Sequence, residues 1–168
     1  MNSRRYTAVT APFGILYITI DNGQLVRIDS RKPTIADALR FDDHPLLRDA
    51  AETVRCYFEG HSTAVTLPCM ESFSSFQKAV FDAVKSIPYG ETRSLEAIAR
   101  QIGRPQSSHA VDMLCRSNPL WLVIPTHRVL TTEHSRSPYL SAEEALRRME
   151  QRYRKDGLTK CQKDGKLF

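Results

Sequence analysis

The chain has 168 residues, 41% of them hydrophobic and 26% charged, with a net charge of +5 and a pI of about 9.2. That length suits one domain or two small lobes, and the composition is that of a packed protein with a soluble surface. No run approaches the ~20 apolar residues of a membrane-spanning helix; no signal peptide is read at Met1-Asn2-Ser3-Arg4-Arg5, and an intracellular setting without a membrane partner is expected.

In chain order, Arg5 to Thr10, Gly14 to Ile20 and Gln24 to Ser30 read as strands, rich in β-branched and aromatic residues. Asp21-Asn22-Gly23 marks the turn between the last two, because Asn-Gly tolerates positive φ. Pro45 to Phe58 reads as a helix, with Leu46, Leu47, Ala50, Ala51, Val54, Tyr57 and Phe58 at helical spacing and Gly60 placed to end it. Ala64 to Leu67 is a candidate short strand, and Pro68 to Ser72 a candidate linker. Ser74-Ser75-Phe76-Gln77 is a capping box. It opens a helix whose stripe is Phe76, Val80, Phe81, Val84 and Ile87, broken by Pro88-Tyr89-Gly90. Ser94 caps a short helix to Ile102, Gly103-Arg104-Pro105 turns the chain, and Ser107 to Ser117 forms the next helix. That pattern fits a helix-turn-helix, although packed αα-hairpins without DNA are commoner. Trp121-Leu122-Val123-Ile124, read as core or interface, runs into Pro125-Thr126-His127-Arg128. Ser141-Ala142-Glu143-Glu144 caps a last helix, and the tail from Lys155 is polar and basic. The fold class expected is α+β: a sheet-and-helix lobe over residues 1–70, a helical lobe bearing the helix-turn-helix over 71–155, and a basic tail over 156–168.

Cys56, Cys69, Cys115 and Cys161 form no Cys-x-x-Cys pair, which suits a reduced setting, and Cys115 reads as a packing residue. The histidines are equally scattered, so neither a metal nor a cofactor is expected. Residues 1–72 carry 8 Lys+Arg against 9 Asp+Glu, and residues 73–168 carry 16 against 10. The positive excess lies in the second part and points to a polyanionic partner there.

Residues 76–129 closely resemble the O6-alkylguanine-DNA alkyltransferase family. The resemblance rests on Phe76-Gln77-x-x-Val80, Ile87-Pro88-Tyr89-Gly90-Glu91-Thr92, Ala110-Val111, Asn118-Pro119 and Pro125-Thr126-His127-Arg128-Val129. The last is similar to the family's Pro-Cys-His-Arg-Val motif, with Thr126 where the cysteine stands. What the resemblance implies is a ribonuclease H-like first lobe, a winged helix-turn-helix that reads the minor groove, and a monomer. Its partners are duplex DNA, with or without an alkylated guanine, and a DNA-repair protein. It also implies a nuclear or nucleoid location, according to cell type. In the family a thiolate takes the alkyl group from a guanine turned out of the stack. By position, His127 is the base, Glu150 orients it, and Asn118 is the hinge. Ser94, Leu95, His109, Asp112, Arg116, Asn118 and Arg128 fall at DNA-binding positions, and Tyr139 and Ser141 at the lesion pocket.

The departures point one way. A threonine hydroxyl is a weak nucleophile without strong activation, whereas a free thiol titrates near about 8.5. Leu95, His109 and Asp112 stand where the family has a tyrosine, an arginine finger and a glycine, and Ser137 to Ser141 lacks the glycines of its binding loop. Asp112, three residues beyond His109 on one helical face, is expected to favour a protonated His109. The function expected is DNA binding without alkyl transfer. Other readings are a stoichiometric methyltransferase, a scaffold or regulator with a decayed DNA site, and a threonine hydrolase. The last suffers because neighbours on a strand, as Thr126 and His127 are expected to be, point to opposite faces. Read from its local sequence alone, His127 is a hydrogen-bonded structural histidine, and Glu150 is equally a surface helix residue.

Overall fold

The computed structural model describes residues 4–34, 38–69, 72–131 and 140–156. Strands β1 (Arg5–Ala11), β2 (Gly14–Asp21) and β3 (Gln24–Asp29) form where β-branched residues cluster. Asn22 (φ 48°) and Gly23 (φ 76°) supply the two left-handed positions of the turn between β2 and β3. A two-residue strand, β4 (Leu39–Arg40), pairs parallel to β1, giving the order β3-β2-β1-β4. The register sets Thr7 beside Ile18 and Val9 beside Leu16, so these side chains share the inner face. Tyr6, Tyr17 and Thr19 share the outer one.

Helix α1 (Pro45–Phe58) buries Leu47, Ala50, Ala51, Val54 and Tyr57 against β1 and β2. His44 makes no side-chain cap; Pro45 starts the helix, its missing N–H being one that would have no helical partner anyway. The chain then leaves through Gly60 (φ 74°), the left-handed position that favours glycine. The strand expected over Ala64–Leu67 does not form. From this segment an isolated bridge between Leu25 and Cys69 reaches β3, and Pro68, which has no N–H, offers a carbonyl alone.

Helix α2 (Ser75–Lys85) has the expected capping box between Ser74 and Gln77. Helix α3 (Leu95–Gln101) starts at Ser94, whose hydroxyl accepts from the Ala97 amide at 3.2 Å. A 3-10 turn, Pro105–Ser107, precedes α4 (Ser108–Arg116), so the second helix of the pair begins one residue later than expected. Leu95, Ile98, Val111 and Cys115 fill the seam between the helices. Two short strands, β5 (Arg93–Ser94) and β6 (Val129–Leu130), pair in parallel and tie the start of α3 to the segment after His127. The last helix, α5 (Leu140–Asp156), buries Ala142, Leu146 and Glu150.

One core joins the sheet, α1 and the helical part. The edge strand β3 meets the chain beyond α4: the Ile28 amide donates to the Pro119 carbonyl at 2.8 Å and the Trp121 amide to the Ile28 carbonyl at 3.1 Å. The mixed architecture is the α+β class expected.

Candidate functional site

The site is built where four parts of the chain converge on the 3-10 turn Thr126–Arg128. The sequence reading had Thr126 and His127 as neighbours on a strand. They lie instead on a tight turn, which Thr126 N–H to Ile124 carbonyl (2.8 Å) and Arg128 N–H to Pro125 carbonyl (3.0 Å) close. Before it the chain turns again through Leu122, held at φ 71°. Asn118, 4% exposed, organises this stretch. Its Nδ2 donates to the Ile124 carbonyl (2.9 Å) and to Thr126 Oγ1 (3.2 Å), and its Oδ1 accepts from the Leu120 amide (2.9 Å). One buried amide thus holds both ends of the loop that leads from α4 to Thr126.

Glu150, from α5, is the electrostatic centre and is 1% exposed. Its Oε1 lies 2.7 Å from His127 Nε2 and accepts from the Tyr57 hydroxyl; its Oε2 accepts from the Gly90 amide at 2.8 Å. Arg128 donates to both oxygens, from Nε at 3.1 and 2.9 Å and from Nη2 to Oε1 at 2.9 Å. Burial alone would raise this carboxyl, but the hydrogen bonds and charges of His127 and Arg128 outweigh it and bring it down to about 2. Burial lowers the His127 imidazole below its usual range; the hydrogen bond and charge of Glu150 oppose this, while Arg128 and Arg147 add to it. The ring is therefore neutral at neutral pH. With Nε2 facing a carboxylate, the hydrogen-bond network assigns the proton to Nε2 and leaves Nδ1 as the basic nitrogen. Among the described residues no hydrogen bond joins Thr126 Oγ1 to that ring.

Tyr57 escaped the sequence reading. By its spacing it is an apolar face residue of α1, but its hydroxyl is the link from the first lobe to Glu150. Burial, then the charge of Glu150, holds this phenol well above its usual range. Tyr89 sits beside it, pushed up to about 12 by burial and by Glu150, with the Arg128 guanidinium 5.5 Å from its ring centre. A buried tyrosine in an apolar stripe needs a partner for its hydroxyl, and that was the only available signal.

Four residues expected to face DNA are buried: Asn118, Arg128, Leu95 and Asp112. Arg128, 6% exposed, spends its guanidinium on Glu150 and on the Ile87 carbonyl at 2.9 Å; its positive charge has an internal counter-charge. Leu95, 4% exposed, packs in the helix pair because it is the first residue of α3 and points inward. On α4, His109 is exposed, while Asp112 is buried and paired to Arg116 at 2.8 Å. The expectation that Asp112 serves His109 is thereby corrected: the arginine one turn on takes the carboxylate. Asp112 Oδ1 is buried with no partner among the described residues. Glu143 lies close enough to feel Asp112, and burial raises its pKa. Cys115, between them, is pushed up to about 12 by burial and by these two carboxylates, so its thiol is not activated. Tyr139 lies outside the described residues; Ser141 is within α5, but its side chain is outside what is described.

Residues 75–158 match the family described as 6-O-methylguanine DNA methyltransferase, DNA binding domain. A methylated-DNA–protein-cysteine methyltransferase of Mycolicibacterium paratuberculosis is 31% identical over 159 residues, which span 92% of this chain and 96% of that protein. One from Methanosarcina acetivorans is 29% identical over 140 residues, spanning 81% and 89%. The crystal structure of the Mycobacterium tuberculosis O6-methylguanine methyltransferase superposes with a TM-score of 0.76 at 26% identity, covering 89% of this chain and 93% of that one. A further structure of the mycobacterial protein, in complex with DNA, superposes with a TM-score of 0.74, covering 88% and 93%.

Proposed function

Because the chain belongs to the 6-O-methylguanine DNA methyltransferase family, we propose that it is a DNA-repair protein that binds duplex DNA containing an alkylated guanine without accepting the alkyl group. The observation that carries this is Thr126. It stands at the position that the resemblance gives to the nucleophilic cysteine. Its hydroxyl accepts from Asn118, and the neighbouring imidazole is neutral and committed through Nε2 to Glu150. A hydroxyl needs a strong, aligned base to attack carbon, whereas a thiolate is already formed and soft. Glu150, besides pairing with His127, also carries the buried charge of Arg128.

DNA binding in this reading uses the exposed side of α4, with His109 and the Asp112-tempered Arg116, and the start of α3 at Ser94. Phosphate contacts there position the duplex, and the guanine is held for a repair partner to process. The monomer is the acting unit.

The deciding experiment is intact mass measurement after incubation with excess duplex bearing a single O6-methylguanine, beside affinity measurements for that duplex and its undamaged counterpart. The expected result is an unchanged mass and tighter binding to the damaged duplex. Stoichiometric gain of a methyl group would establish the second reading, a true methyltransferase, which the names of the relatives favour. Equal, weak binding to both duplexes would refute lesion recognition.

A further inference from the structure

The outer face of the sheet carries a second polar site, far in sequence from Thr126. Between that face and residues 31–33, which follow β3, lies a cleft of about 390 Å³. Arg4, Thr19, Arg27, Arg31, Lys32 and Pro119 line it, with four cations among them. Asp29, 3% exposed, is the anchor: Arg27 reaches it at 2.6 Å and Arg31 at 3.3 Å, and its other oxygen accepts from the Arg31 amide at 2.9 Å. Arg4 pairs with Asp21 at 3.0 Å. Two carboxylates thus serve three arginines, and among the described residues no carboxylate pairs with Lys32.

The floor of this basic cleft holds a polar orphan. Thr19 is 5% exposed, and its Oγ1 is buried with no hydrogen-bond partner among the described residues. A buried hydroxyl without a partner is destabilising relative to one that is satisfied. An apolar β-branched residue of the same shape would avoid that cost. Guanidinium groups held by a buried carboxylate, a lysine and a hydroxyl are the donor set of a phosphate site, and the volume is that of a small-ligand pocket.

We infer that the cleft between the outer sheet face and residues 31–33 is a phosphate-binding site, with Thr19, Arg27, Arg31 and Lys32 as its donors. The source of the phosphate is either a small phosphorylated molecule or the backbone of a nucleic acid strand. Pro119 gives the site a route to the first one. It forms part of the cleft wall and lies next to Asn118, which holds Thr126.

The test is titration of the full chain with pyrophosphate at constant ionic strength, followed by amide chemical shifts, with chloride as the control anion. Pyrophosphate should move the amides of residues 19, 27, 31 and 32, and that of Leu120 beyond the proline. Thr19→Val, which removes the orphan oxygen without loss of volume, should keep the fold and weaken binding about tenfold, the worth of a hydrogen bond to a charged group. Lys32→Glu, at an exposed position, should weaken it further. A second titration, with undamaged duplex, identifies the source: movement of the same amides, reversed by pyrophosphate, assigns strand phosphate. Duplex that leaves them still assigns the small molecule. No pyrophosphate-dependent movement at these amides, or wild-type affinity in both variants, overturns the site.

Discussion

Replacing Glu150 by glutamine tests the organisation of the whole centre. The substitution keeps the shape of the side chain and one acceptor oxygen but removes the charge. Arg128, whose side chain is 8% exposed, then keeps its charge in the interior with no counter-ion, and an NH2 group is set against the donors of Gly90, Tyr57 or Arg128. Breaking a buried pair from one side costs about 3–5 kcal/mol. The retained oxygen still accepts from some of these donors, so Glu150→Gln belongs at the lower end, about 3 kcal/mol. For a chain of this size that corresponds to a fall in Tm of roughly 6–12 °C. The assay is urea unfolding followed by circular dichroism, carried out as a double-mutant cycle with Arg128→Met. Because the two groups share one interaction, the double variant should be more stable than the sum of the single losses predicts, by about 2 kcal/mol. Strict additivity, or a loss under about 1 kcal/mol for Glu150→Gln, would show that the carboxylate does not sustain Arg128.

The pH dependence follows from the same pair. Folding depresses both the His127 and the Glu150 pKa, so the stability they contribute is complete above about pH 6.5 and is lost on acidification. The imidazole loses its share first; the carboxylate follows between its ordinary 4.5 and about 2, a span worth about 3 kcal/mol. Urea midpoints measured from pH 7 to pH 3 should therefore fall, and a constant midpoint would contradict the assignment. Gly60→Ala should destabilise by about 1–3 kcal/mol, because its φ is 74° and a Cβ there would stand 2.6 Å from the Tyr153 ring; thermal unfolding reads this directly. Asp112→Ala removes an orphaned carboxylate oxygen and releases Arg116 to phosphate. DNA affinity should rise, and the slope of affinity against salt should steepen by about one; an unchanged slope would take Arg116 out of the interface.

Local signals were legible wherever a single element supplies its own reason. The span Pro45–Phe58, the Ser74–Gln77 capping box and the Asn22-Gly23 turn all match the structure because spacing, caps and positive φ are properties of short segments. The site was legible as a set of residues, through the motif around His127 and through Glu150. Its electrostatics were not. Arg128 read as a surface cation because nothing near it in sequence shows that its counter-charge comes from α5, 22 residues away. Tyr57 read as core because its ring is core, and only its hydroxyl is not. The turn at Thr126 read as strand because an apolar run before a proline looks extended. Its conformation is decided by Asn118, a residue that must first be placed by α4.

The convergence on Glu150 has a consequence for how the molecule is made. Tyr57 meets it across 93 residues, Gly90 across 60 and Arg128 across 22. As the chain leaves the ribosome, its sheet, α1 and the helix pair all emerge before the carboxylate that joins them. Until residue 150 is available, the Arg128 charge has no interior partner and the Tyr57 hydroxyl has nothing to donate to, so these groups favour water over burial. Closure of the core is thus delayed until residue 150 has been made, and contacts this distant in sequence close slowly. A fragment ending before α5 would retain most of the hydrophobic residues of the protein and lack the one charge that lets them assemble around an arginine.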